Sequence, residues 1–174
     1  KSGKLVLPLK YEDAWDFSEG LARVELSGMW GYINKSGKLV IPLKYDWAGS
    51  FSEGLANVKL YGKFGFIDKS GKVVVPFKYY DVRAFSEGLA SVCLEEHIDN
   101  IGLSYLWGFI DKSGNTVIPH LYYRVSDFHE GLANIGNAII TISEPLIDKS
   151  NKWVQWPFRE YLGDWYFTEG FAKI

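Results

Sequence analysis

The chain has 174 residues, 47% of them hydrophobic and 17% aromatic, with a formal net charge of -2. That composition is too apolar for a disordered chain and carries no charge excess that would favour a polyanion as partner. The one cysteine, Cys93, excludes an intramolecular disulfide and fits a reducing compartment or a disulfide-free secreted protein alike, and no apolar run approaches the roughly 18 residues that a membrane-spanning helix needs.

A block of KSGK, an apolar run ending in Pro, and then FSEGLA begins at Lys1, Lys35, Lys69, Lys112 and Lys149, with FSEGLA or a near copy at Phe17, Phe51, Phe85, Phe128 and Phe167. Successive starts lie 34, 34, 43 and 37 residues apart, so residues 1–174 read as one repeat array. The array opens in mid-repeat at Lys1, as expected of a piece of a longer protein.

The second copy shows the elements in order. In LANVKL, Ala56, Val58 and Leu60 alternate with Leu55, Asn57 and Lys59, the period of a half-buried strand. Tyr61, Gly62 and Lys63 make a turn, FGFID a second strand, and Asp68 to Lys72 a tight turn rich in residues that tolerate positive φ. Val73, Val74 and Val75 form a third strand, which is expected to end at Pro76 or to lie on an edge because proline cannot donate to a ladder. The stretch from Phe77 to Ala84 has neither helical period nor alternation and is expected to be an irregular crossover, with room for a short 3₁₀ turn. Each repeat is thus a three-stranded antiparallel meander, and the fold class is all-β. With three strands and 34 residues per unit, where propeller blades usually have four strands and about 40 residues, an open solenoid-like stack is expected, with a closed propeller-like ring as the alternative.

Recurrence selects positions. Val6, Val40, Val74, Val117 and Val154 share one offset, expected to be core. Gly20, Gly54, Gly88, Gly131 and Gly170 follow Glu in every copy and predict a turn with positive φ. Gly31, Gly65 and Gly108 follow an aromatic residue inside the second strand, where a missing side chain makes room for a neighbour.

The pairs Trp30–Gly31 and Trp107–Gly108, followed by YINKSGK or FIDKSGN, resemble the bacterial WG-repeat family, also called KWG repeats. The resemblance covers essentially the whole chain and implies a scaffold without a shared catalytic motif. Phe64 replaces Trp in the second copy, Glu144 and Pro145 occupy the WG positions before the last turn, and the fifth copy reads KSNK, with Gln155 and Trp156 before Pro157. Such altered terminal copies either cap an array or reflect drift.

Little here could carry chemistry. His97, His120 and His129 form no metal-binding spacing with Cys93 and read as surface or loop histidines; the Asp68 and Asp111 turns lack the ligand series of a calcium loop; no phosphate loop or nucleophile elbow is present. No enzyme activity, cofactor or metal is expected. Glu19, Glu53, Glu87, Glu130 and Glu169 recur in every FSEG and are better explained as caps of local backbone N–H groups at the turn before the first strand, or partners of a neighbouring unit's Lys, than as five catalytic carboxylates. Tyr11, Tyr45, Tyr79 and Tyr122 recur three residues after Pro and are expected to pack between repeats.

Function is expected where the period fails. Trp15, Trp47, Trp165 and Tyr80 sit in the variable crossovers, and the nine-residue excess of the third copy, within EEHIDNIGLSYL, adds an acidic hairpin with an apolar side. Trp15, Trp47, Glu95, Glu96, His97, Ile98, Ile101 and Tyr105 are the predicted partner-binding residues, and a protein is the expected partner. The alternative is a glycan of a bacterial envelope, on which rings can stack; nucleic acid and membrane insertion are not expected.

Overall fold

A computed structural model describes residues 10–98, 102–136 and 145–155 and the backbone of two short paired strands, Phe167–Thr168 and Phe171–Ala172. Val6, Ile101, Trp165, Glu169 and Gly170 lie outside the described residues.

The described chain is strand and turn, gathered into four antiparallel four-stranded sheets. Sheet I contains β1 (Asp13–Ala14), β2 (Leu21–Leu26), β3 (Met29–Asn34) and β4 (Leu39–Tyr45). Sheet II contains β5 (Trp47–Ala48), β6 (Leu55–Leu60), β7 (Lys63–Asp68) and β8 (Val73–Tyr79). Sheet III contains β9 (Asp81–Val82), β10 (Leu89–Ile98), β11 (Gly102–Asp111) and β12 (Thr116–Tyr122), and sheet IV β13 (Arg124–Val125), β14 (Leu132–Gly136), β15 (Leu146–Asp148) and β16 (Trp153–Gln155). Each is a meander in sequence order.

Two expectations about the unit change. The crossover is not irregular throughout: Phe77–Tyr79 continue β8, and Asp81–Val82 form a fourth strand that pairs with Cys93 and Val92 of β10. The third strand does not end at proline. In β8, Phe64 faces Tyr79 while Phe66 faces Val75, so four residues on one strand span two on the other and Pro76 sits in the resulting bulge. Because β8 is an edge strand, its missing N–H leaves no ladder partner unpaired.

That bulge explains the glycine of the WG pair. A Cβ on Gly31 would stand 2.6 Å from the Ile41 carbonyl oxygen and 2.9 Å from Leu43 N; Gly65 and Gly108 face the same obstruction. The other recurrent glycine works through conformation. Glu19 and Gly20 have φ of 50° and 92°, and Ser18 and Leu21 close a two-residue hairpin around them, repeated at Glu53–Gly54, Glu87–Gly88 and Glu130–Gly131. Both central residues at positive φ is the type I′ signature, which matches strand twist.

Sheets stack face to face in sequence order, and the core lies between them. Leu21, Tyr32, Ile41 and Tyr45 of sheet I meet Ala48, Phe51, Ala56, Val58 and Ile67 of the next unit. Leu55, Phe66, Val75 and Tyr79 meet Val82, Phe85, Ala90, Val92 and Ile110; Leu89, Phe109, Ile118 and Tyr122 meet Val125, Phe128, Ala133, Ile135 and Ile147. Central strands are therefore buried on both faces rather than one, as Leu55 to Val58 show. Tyr11 is half-buried against Ala22, Val24 and Ile33, and the recurrent Tyr45, Tyr79 and Tyr122 are in this core, as expected. The recurrent valines are not: Val40 is 37% exposed and Val117 42%, whereas the next residues, Ile41 and Ile118, are fully buried. Alternation on an edge strand turns that valine offset outward, where β-propensity suffices to favour it. Four strands per sheet remove strand count as an objection to closure, but the substantial inter-sheet contacts join only consecutive sheets, as in an open array.

The SEG motif fastens each unit to the next. Ser18 Oγ donates to Phe51 O at 2.6 Å, and Ser52 and Ser86 do the same to Phe85 and Phe128. Glu19 accepts from Gly54 N at 3.0 Å and pairs with Lys69 at 3.0 Å; Glu53 and Glu87 repeat this with Gly88 and Lys112, and with Gly131 and Lys149. The ion pair with a neighbouring unit's Lys is as expected, whereas the cap is not local: each carboxylate accepts from the turn N–H of the next unit. Each Glu sits at positive φ, which costs an L-residue about 1 kcal/mol, so the contact across the junction offsets a local cost.

Candidate binding surface

Non-recurrent side chains gather along the outer rim of each junction. Trp15 follows β1, Trp30 lies in β3, and Trp47 opens β5; all three surround Arg23 of β2. The guanidinium carbon is 4.1 Å from the Trp15 ring centre and 5.7 Å from those of Trp30 and Trp47, and Nη1 donates to Ala48 O at 2.8 Å. Burial lowers the Arg23 pKa, against opposing influences of Tyr32 and Asp13. Asp13 also accepts from the Trp15 indole at 3.1 Å and fixes that ring. The slot between sheets I and II is thus closed by a cation held among rings.

The pattern runs on through sheet II. Trp47 packs edge-on against Phe64 at 5.8 Å, and Lys59 lies over the Phe64 ring. Lys63, beside Phe64, pairs with Glu95 of the third unit's long hairpin at 3.0 Å. There β10 and β11 pair out to Ile98 and Gly102, so the predicted inserted loop is a regular extension of the sheet. Tyr105 stands opposite Glu95 and packs on Tyr80 at 4.3 Å. The Tyr105 hydroxyl pKa is raised, by desolvation first and then by Tyr80.

The predicted residues therefore fall into two linked groups: Trp15 with Trp47 around Arg23, and Glu95 with Tyr105 beside Lys63 and Tyr80. Glu96 and His97 are exposed on the hairpin and Ile98 is half-buried. Of the other histidines, His129 is exposed, but His120 is a strand residue stacked on Tyr79, and burial lowers its pKa; it is not the surface or loop residue expected. Burial pushes the Cys93 thiol up to about 11, with Asp81 adding to it, which leaves it inert at neutral pH. Among the described residues no group of three or more His, Cys, Asp or Glu is placed to hold a metal ion.

Sequence reasoning missed Arg23, Arg83, Trp107 and Arg124 as members of the rim, and also the hairpin-tip Tyr61, 91% exposed at positive φ. A signal existed: the first-strand offset that reads Arg23, Asn57, Ser91 and Asn134 varies between copies, whereas the preceding residue is Ala in all four and the following one Val or Ile.

Between sheets III and IV the same rim is open. A cavity of about 250 Å³ lies there, lined by Arg83, Trp107, Tyr123, Arg124, Ser126 and Asn134 among others. The Arg83 guanidinium sits 5.5 Å from the Trp107 ring centre.

The family described as WG containing repeat matches residues 1–30, 30–64, 64–96 and 107–135. This chain belongs to the WG-repeat family. The WG pair that names the family is now a physical device: the glycine admits the proline bulge, and the tryptophan, at Trp30 and Trp107, stands on the rim of a junction slot. Comparison with curated proteins and with solved structures finds no match.

Proposed function

We propose that this WG-repeat array is a non-catalytic binding module that engages a protein partner along the rim of its junctions. One observation carries the reading. Rings, cations and exposed apolar tips line one edge, from Trp15 and Trp47 through Phe64 and Lys63 to Glu95, Tyr105 and Leu103, while the recurrent Phe and Tyr rings of the core are used up in stacking. Aromatic and Arg side chains are the residue types that anchor protein interfaces, because they bury large area at low entropic cost.

Affinity capture with the whole chain as bait, compared with a Trp15→Ala/Trp47→Ala/Tyr105→Ala variant of unchanged unfolding midpoint, tests this. Loss of the captured protein in the variant supports the reading, and undiminished capture defeats it. A glycan reading is favoured by Trp15 alone, whose indole stays 54% exposed with Arg23 stacked against it. Retention on isolated cell walls, abolished by Trp15→Ala, would displace the protein reading.

A further inference from the structure

The slots at the first and third junctions share one backbone frame and exchange their chemistry. Position by position, Trp15 and Trp47 of the first become Arg83 and Arg124 of the third, Trp30 is kept as Trp107, and the central Arg23 becomes Ser91. Three rings around one cation are replaced by two cations and two rings, Trp107 and Tyr123, around an open centre. Ser91 is buried and bonded to Asp127, so nothing from its own strand reaches into the space that Arg23 fills in the first slot.

We propose that the cavity between sheets III and IV receives an aromatic side chain from an acidic segment of a partner protein, a claim that rests on the protein-binding reading above. The ring takes the central place that Arg23 takes in the first slot, against the Trp107 indole and between the guanidinium groups of Arg83 and Arg124. Carboxylates flanking it in the partner meet those two cations, neither of which has a carboxylate ion-pair partner among the described residues. Arg83 and Arg124 are the charged side chains in the cavity lining, although the whole chain is slightly acidic. Its volume argues for a side chain: about 250 Å³ falls short of the roughly 300–1,000 Å³ of cofactor and small-molecule sites. Cation–π attraction strengthens when the pair is desolvated, which a half-enclosed slot provides.

The probe is a blocked peptide with one tryptophan between two pairs of glutamates, titrated into the whole chain labelled with nitrogen-15. The Trp107 indole N–H and the Ser126 and Asn134 amides are expected to shift, with binding weakened at least tenfold by Arg124→Glu, an exposed change. Ser91→Arg, which restores the filled arrangement of the first slot, is expected to abolish the shifts; if that variant does not fold, Arg124→Glu alone decides. Peptides with alanine for the tryptophan, or lysine for the glutamates, are expected not to bind. The proposal is overturned by absence of shifts at millimolar peptide, by shifts confined to Trp15, Trp30 and Trp47, by equal binding to Arg124→Glu, or by equal binding of either control peptide. Glucuronic acid shifting the same resonances in place of the peptide overturns it in favour of an acidic sugar. Failure here, with the triple variant still losing its captured protein, removes only this slot and leaves the proposed function standing.

Discussion

The first and third junctions are built alike and finished differently. Beneath both, a ring of the second strand meets the FSEG phenylalanine of the next unit edge-on, Tyr32 with Phe51 at 5.0 Å and Phe109 with Phe128 at 4.9 Å. On the rim, one slot is closed by Arg23 and the other is open between Arg83, Trp107 and Arg124. A repeat array can vary its rim while the buried ring pairs stay, because the exchanged side chains at Arg23 and Ser91 occupy other strand positions than those rings.

The comparison breaks most visibly if the shared foundation is not shared. Phe51→Ala and Phe128→Ala each remove a buried ring, and each is expected to destabilise the array by about 3–5 kcal/mol; urea unfolding followed by circular dichroism measures both. Unequal losses would mean that the slots differ below the rim as well. Gly31→Ala and Gly108→Ala come next. A methyl group would stand about as close to the Ile118 carbonyl oxygen, 2.5 Å, as to that of Ile41, 2.6 Å, so backbone must move and about 3 kcal/mol is expected at either junction. Arg23→Ser then sharpens the difference itself. It turns the first slot into a likeness of the third, losing a carbonyl hydrogen bond and stacking on Trp15, and about 1–2 kcal/mol is expected. Restored quenching of Trp fluorescence by iodide would show that the slot had opened.

Much of the common frame was legible in the sequence, and for a physical reason: recurrence within one chain averages out local detail. The Glu-Gly turns, the space-making role of Gly31, the ion pair of the glutamate and the packing of Tyr45 and Tyr79 all follow from position in the period. The offset of Val40 misled because a valine on the open side of an edge strand looks, in sequence, like its buried neighbour Ile41. The fourth strand was invisible for another reason. Trp47 and Ala48 become a strand only by pairing with Lys59 and Val58, a contact that no local pattern encodes. The slots were least legible, since they depend on which side chains converge from two units; the irregular offset at Arg23 and Ser91 pointed there without saying what it lined.

A smaller effect separates the fastenings of the junctions. The Lys149 ammonium, and after it the Gly131 N–H, hold the Glu87 carboxyl below its ordinary range. A folded pKa below the unfolded one stabilises the fold fully above the ordinary carboxyl value of about 4.3 and loses that contribution as pH falls through the depressed value. Wild type and Glu87→Gln are therefore expected to differ in unfolding midpoint at pH 7 and to converge toward pH 3. A gap that stays constant with pH would assign the Glu87 contribution to uncharged contacts, and no gap at either pH would leave the fastening to the Ser86 hydroxyl.

The smallest effect concerns a polar group left over in the core. Tyr122 OH donates to Asn151 Oδ1 at 2.6 Å, because KSNK replaces KSGK in the last turn, and Asn151 holds the positive φ that glycine supplies elsewhere. At the preceding junction the buried Tyr79 hydroxyl has no protein partner, and Gly114 occupies the equivalent turn position. Gly114→Asn would bring an acceptor to that hydroxyl in the geometry seen one unit later. Its Cβ would come within 3.3 Å of Val75 Cγ2, a contact that the turn or the stiff, buried Val75 must relieve by a few tenths of an ångström and that takes back part of the gain. A hydrogen bond adds about 1 kcal/mol, and asparagine is among the residues that tolerate positive φ best. A rise in urea midpoint worth up to about 1 kcal/mol is expected, and no rise in a Tyr79→Phe background. A fall in the first case, or an equal rise in both, would show that the last turn differs from the others by drift rather than by a contact that the other junctions lack.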